Sequence, residues 1–155
     1  MRVVLDTNAL FRLITNREAF IKLKRAHASG RISWYISYEL LEEMKEHLDV
    51  IVKLALKHER ASDCRAACEV VAETLLELAT LKLGTVEPKE GCERALKLVA
   101  ARDPDDVHVA SLAINVAPSI LVSDDKKAFD EEVREALREC GVEVRSFGEF
   151  FGSLS

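Results

Sequence analysis

Residues 2–8 read Arg-Val-Val-Leu-Asp-Thr-Asn, with three consecutive apolar residues set directly before an acidic one. A short apolar run closed off by polar residues is the pattern of a strand covered on both faces. Runs of the same kind recur at 32–36 (Ile-Ser-Trp-Tyr-Ile), 120–122 (Ile-Leu-Val) and 142–145 (Val-Glu-Val-Arg). Between them, apolar spacing predicts helices over 8–14, 17–29, 38–57, 63–82, 90–101, 104–116 and 127–140, with Gly30, Gly84 and Gly141 at the ends of three of them. Short strands alternating with helices predict an α/β fold: a mostly parallel central sheet covered by helices on both faces. The long helical stretch 38–82 reads as a helical-hairpin elaboration on the same unit.

Composition narrows the function. The 155 residues, 48% of them apolar, are expected to form one domain over 1–155 with a real core; collagen, coiled coil and general disorder are excluded. A net charge of −5 gives no global field that attracts a polyanion, so phosphate chemistry here must recruit cations. The imbalance is uneven: residues 1–60 carry +3 and residues 61–155 carry −8. Asp6 and Arg12 interrupt any leader-like apolar run, and no stretch approaches the ~18 apolar residues of a membrane span, so a cytoplasmic protein is expected. Cys64, Cys68, Cys92 and Cys140 include no CxxC pair and read as buried thiols. The absence of Gln and the count of three Asn resemble a thermophile's composition, where intracellular disulfides are less exceptional.

The acids fall in a pattern. Asp6 follows the first strand, and Ser123-Asp124-Asp125 follow the strand at 120–122. In a parallel sheet the strand C-termini share one edge, where ligands bind. Right-handed crossovers start the helices at 38 and 104 at that same edge. Their acidic first turns, with Glu39, Glu42 and Glu43 in one and Asp103, Asp105 and Asp106 in the other, therefore converge on Asp6 and Asp125. At ~100° per residue, Asp106 lies in line with Ala110 and Ala113 on the apolar face, and Glu43 lies nearest the stripe of Leu40, Leu41, Met44 and Leu48. Carboxylates 4 Å apart repel by roughly 1 kcal/mol in water and about 4 kcal/mol at an effective dielectric of 20. A hard divalent cation removes that cost, and an all-oxygen donor set selects Mg²⁺ or Mn²⁺.

Plainer readings exist for each residue alone. Asp6 suits a helix N-cap, Asp103-Pro104 a cap followed by proline, Asp124-Asp125 a turn, and Glu43 a solvated helix face. The scattered His27, His47, His58 and His108 read as surface or structural, with His47 a remote fifth ligand candidate. Arg12, Lys126 and Lys127 are candidates for guiding a phosphate backbone, or else belong to solvated faces. Clustered Asp at strand ends also occurs in aspartyl-phosphate phosphatases and receiver domains, but the phosphatases want Asp where Asn8 stands.

Val-Val-Leu-Asp6-Thr-Asn8, Ser37-Tyr-Glu-Leu-Leu-Glu-Glu43-Met, Asp103-Pro-Asp-Asp106-Val-His-Val-Ala-Ser-Leu-Ala and Leu-Val-Ser123-Asp124-Asp125-Lys together resemble the PIN-domain nucleases, including the toxin ribonucleases of prokaryotic toxin–antitoxin pairs. The resemblance implies a Rossmann-like three-layer α/β/α domain and Mg²⁺- or Mn²⁺-dependent cleavage of single-stranded RNA, leaving 5′-phosphate and 3′-hydroxyl ends. It further implies homodimers and, for the toxin members, an antitoxin protein as partner. Carried over by position, Asp6, Glu43, Asp106 and Asp125 match the metal-binding catalytic acids, with Asp124 the alternative register for the last; Asn8 and Ser123 match polar residues that orient them. A scaffold that binds RNA or protein without cleaving is the non-catalytic alternative.

Overall fold

The computed structural model describes residues 1–14, 16–46, 73, 82–83 and 91–154. Five strands, β1 (Arg2–Leu5), β2 (Ser33–Ile36), β3 (Lys82–Leu83), β4 (Ser119–Val122) and β5 (Val142–Arg145), form one sheet in the order β3-β2-β1-β4-β5. Every pairing is parallel. β1 is the pivot, because the chain moves outward to β2 and β3 on one side and then returns to place β4 against the other. That reversal opens a crevice beyond the C-terminal ends of β1 and β4, where ligands bind in open parallel sheets.

Side chains alternate across the sheet. Val3 and Leu5 of β1, Trp34 and Ile36 of β2, and Ile120 and Val122 of β4 enter one core. Val4, Leu121 and Val142 enter the other. The first core is closed by α1 (Thr7–Ile14), α2 (Arg17–Ala28), Leu40 of α3 (Tyr38–Glu46) and α7 (Phe147–Ser153). The second is closed by α4 (Glu93–Arg102), α5 (Val107–Asn115) and α6 (Glu131–Glu139). Sealing both faces of β1 and β4 stabilises the strands by about 1.5–3 kcal/mol per large aliphatic side chain. It also leaves the strand ends as the place where polar groups can stand. The fold is the expected three-layer α/β architecture with a parallel sheet.

Several expectations need correction. Lys82–Leu83 pairs with β2 as a strand instead of ending a helix; two residues are too short to carry a period. The helix expected from 104 begins as a 3₁₀ turn, Pro104–Asp106, before α5 starts at Val107. The helix expected from 127 begins at Glu131, where the Asp130 side chain accepts from Val133 N and sets the start. α7 was not foreseen, although Ser146 and Glu149 form the S-x-x-E spacing of a capping box and Ser146 Oγ accepts from Glu149 N. Cys92 and Cys140 are not free thiols but a disulfide, with Cα atoms 6.0 Å apart. It fastens the start of α4 to the end of α6, and a separation of 48 residues conceals such a pairing in the sequence. Of the helices expected over 38–57 and 63–82, Tyr38–Glu46 and Glu73 are helical and Lys82 is in β3; the remainder, with His47, His58, Cys64 and Cys68, lies outside the described residues. No described helix is long and apolar enough to cross a membrane.

Candidate functional site

Asp6 stands on the first residue past β1 and is 2% exposed, the most deeply buried acid among the described residues. Its Oδ1 accepts from Ala9 N at 2.7 Å, so it does cap α1, while Oδ2 accepts from the Ser123 hydroxyl. Ser123 is fully buried at the end of β4, and its backbone N–H donates to Arg145 O at 2.9 Å. Asp6 N in turn donates to Val122 O at 3.1 Å. The two strands at the crevice are thereby laced together at the point where the acids emerge. Burial pushes the Asp6 carboxyl up to about 6, against the lowering effect of Ser123 and Ala9, and the nearby Asp124 and Asp125 charges add to the rise.

Asp106 sits at the junction of the 3₁₀ turn and α5 and makes no side-chain capping hydrogen bond. Half-buried, it is pushed up to about 7, first by burial and then by the charges of Asp103, Asp6, Asp125 and Glu43. Four separate stretches of chain thus act on one carboxyl: the ends of β1 and β4, the second turn of α3, and the turn before α5. Carboxylate oxygens of Asp103, Asp106 and Asp125 all lie within 4.8 Å of one another.

Asp103, in one of the two converging acidic turns, has a sufficient plainer reading as a cap. It is a cap, with Oδ1 accepting from Asp105 N at 3.0 Å, yet it also belongs to the cluster. Asp125 likewise spends Oδ1 on the turn amides of Lys127 and Ala128, at 3.1 and 3.0 Å. Local and clustered roles coexist because a carboxylate has two oxygens, one for the backbone and one for the site. Asp124 goes elsewhere: it pairs with Arg12 and accepts from Phe147 N at 2.9 Å, anchoring α7. The doubled acid therefore divides, Asp125 joining the cluster and Asp124 bracing the fold. Arg12, over the Phe147 ring at 4.7 Å, takes part in that brace. Lys126 and Lys127 are exposed beside Asp125.

Glu43 is half-buried and held at both oxygens. Oε2 accepts from the Thr7 hydroxyl, and Oε1 lies 3.1 Å from His108 Nε2. His108, expected to be surface or structural, is part of the site. Asn8, expected to orient the acids, is exposed at the start of α1, and its neighbour Thr7 contacts Glu43 instead. The signals available for Thr7 and His108 were position alone: one residue after Asp6, and one turn before Leu112 on the polar side of α5. Glu39 and Glu46 are exposed, while Glu42, on the same side of α3, is half-buried. A groove of about 680 Å³ opens beside Glu43 and His108, bordered by Tyr38, Pro104 and Asp105.

The donor set is carboxylate oxygen throughout, which suits a hard divalent cation. Acids repelling acids, with raised protonation, is the electrostatic state such an ion relieves. Among known proteins, neither a curated sequence nor a solved structure matches the chain. The family model described as PIN domain matches residues 2–127, from β1 through β4 and just past Asp125. With that match over most of its length, the chain belongs to the PIN-domain family, whose members are generally nucleases and usually use divalent metals.

Proposed function

We propose that this protein is a Mg²⁺- or Mn²⁺-dependent endoribonuclease that hydrolyses phosphodiester bonds of single-stranded RNA. The observation that carries the reading is the convergence of Asp6, Glu43, Asp103, Asp106 and Asp125 on one another at the β1–β4 crevice. Repulsion on that scale is costly without a counter-charge. Asp6, Asp106 and Asp125, with Asp103 beside them, would hold the ion. When bound, it neutralises charge developing on the phosphoryl oxygens and favours ionisation of water.

The remaining work belongs to the chain. Glu43, fixed at the rim, accepts the proton of the water that attacks phosphorus. The new P–O bond forms as the bond to the 3′ oxygen breaks, and that oxygen takes a proton from solvent, leaving 5′-phosphate and 3′-hydroxyl ends. Asp6, buried and hydrogen-bonded, keeps its position through the cycle. Lys126 and Lys127 guide the phosphate backbone to the crevice. The test is cleavage of a labelled single-stranded RNA with Mg²⁺, with Mn²⁺ and with chelator. Metal-dependent cleavage that disappears in Asp6→Asn is expected. Cleavage undiminished in that variant, or equal in chelator, overturns the reading.

A further inference from the structure

We infer that Thr7 and His108 are positioning residues that clamp Glu43 as a proton-accepting carboxylate beside the acidic cluster rather than as one of its metal ligands. The inference rests on the nuclease reading above and deepens it. A glutamate on a helix has three side-chain torsions and loses rotamer freedom when fixed, so α3 by itself does not hold this carboxylate in place. Two donors from two other elements do. Thr7 Oγ1 donates to Oε2, and His108 Nε2 lies 3.1 Å from Oε1. Thr7 is the residue after Asp6, and His108 comes two residues after Asp106. The clamp therefore ties Glu43 to the same two elements that carry the deepest acids.

The hydrogen-bond polarity is consistent along the chain of contacts. An ionised carboxylate only accepts, so Nε2 of His108 must carry the proton it shares with Oε1. Nδ1 is then left to face Ser37 Oγ, 3.5 Å away. Ser37 Oγ meanwhile accepts from Leu40 N at 3.1 Å, capping α3, and Ser37 is fully buried. The cap that starts α3 and the imidazole that orients Glu43 thus share one fixed hydroxyl. Oxygens of Asp103, Asp106 and Asp125 lie within 4.8 Å of one another, with Asp6 and Glu43 outside that set, and Glu43 comes last of the four acids whose charges act on Asp106, after Asp103, Asp6 and Asp125. Weakest of these four in its effect on Asp106 and held by two side-chain donors, Glu43 is better suited to take a proton from water than to surround an ion.

Three measurements test this. In cleavage of single-stranded RNA, His108→Leu is expected to lower kcat about 10–100-fold, part of what a positioned proton acceptor contributes, with KM and the Mn²⁺ Kd within about twofold. His108→Gln, which retains a donor, restores most of the loss; Thr7→Val behaves like His108→Leu, and Thr7→Ser is restored. In a Glu43→Ala background, His108→Leu adds nothing further, because it acts only through Glu43. Independently of activity, ¹⁵N spectra of the metal-free protein at pH 8 should show His108 protonated on Nε2, a preference that weakens in Glu43→Ala. A full His108→Leu effect in the Glu43→Ala background, or a marked fall in Mn²⁺ affinity, overturns the proposal. A wild type with no metal-dependent cleavage overturns the nuclease reading and the clamp's catalytic part, while the imidazole spectrum still decides whether the clamp exists.

Discussion

Arg102 and Asp103 are neighbours in sequence, yet they serve opposite electrostatic regions. Arg102 turns to α6, where Nε meets Asp130 at 2.9 Å and Nη2 meets Glu132 at 2.9 Å. There the Val133 amide, and after it the guanidinium, hold the Asp130 carboxyl below the usual range. Asp103 turns the other way, into a group where acids face acids, and Asp106 is driven up to about 7. A guanidinium one residue away is committed to the α4–α6 seam, not to this rim. The seam, which also holds the Cys92–Cys140 disulfide, is internally neutralised and braced. At the rim the acids face one another, and their mutual charge adds to the raised protonation of Asp106.

The largest expected effect separates the two regions by activity. Asp6→Asn or Asp106→Asn should lower metal-dependent RNA cleavage by about 10³-fold or more, the scale of losing several kcal/mol of metal-assisted stabilisation. Asp130→Asn should leave cleavage within about twofold. Equal losses at rim and seam in a single-turnover assay would erase the distinction. Next in size is the brace. Opening a disulfide that closes 48 residues should destabilise the protein by about 2–4 kcal/mol in denaturant titrations. Cleavage by the reduced protein should persist wherever it remains folded.

The third effect is a pH dependence confined to the rim. Folded Asp6 and Asp106 hold protons up to about 6 and about 7, against an ordinary aspartate value of 3.8. Between those limits the folded state binds more protons than the unfolded chain, so stability falls as pH rises. The contribution is fully present below pH 3.8 and is lost as pH passes through about 6 and 7. Metal-free thermal melts should therefore weaken from pH 5 to pH 8 on account of these groups. Saturating Mn²⁺ at pH 8 should restore stability, by about 2.7 kcal/mol at one hundred times the Kd. A metal-free melt that strengthens over this range in step with Asp6 and Asp106 variants would contradict the arrangement. Smallest is Arg102→Ala, whose solvent-screened pairs should cost little stability in denaturant titrations and leave Mn²⁺ binding unchanged.

The sequence made the framework of the site readable because its main acids occupy positions that topology alone decides. Asp6 and Asp125 follow apolar runs that can only be buried parallel strands, and crossover handedness brings Asp106 and Glu43 to the same edge. What it concealed were pairings that depend on side-chain reach. His108 lies on the polar stripe of α5, and nothing in helical phase reveals that Glu43 of α3 comes within 3.1 Å. Asp103 was hidden by its cap, since a sufficient local reason for a carboxylate masks a second one. Asn8 suggested orientation by its spacing from Asp6, whereas Thr7 makes the contact. β3 was too short to show a period, and α7 was obscured by Gly148 and Gly152, which weaken a helical pattern.

On the proposed function, the rim's negative charge is assembled for a divalent cation. This is tested most directly by calorimetric titration of Mn²⁺ into the metal-free protein at pH 6.5, in two buffers of different ionisation heat. The account predicts saturable binding accompanied by net proton release, both abolished in Asp106→Asn and retained in Asp130→Asn. Absence of saturable heat in the wild type, or binding that persists unchanged in Asp106→Asn, would contradict it.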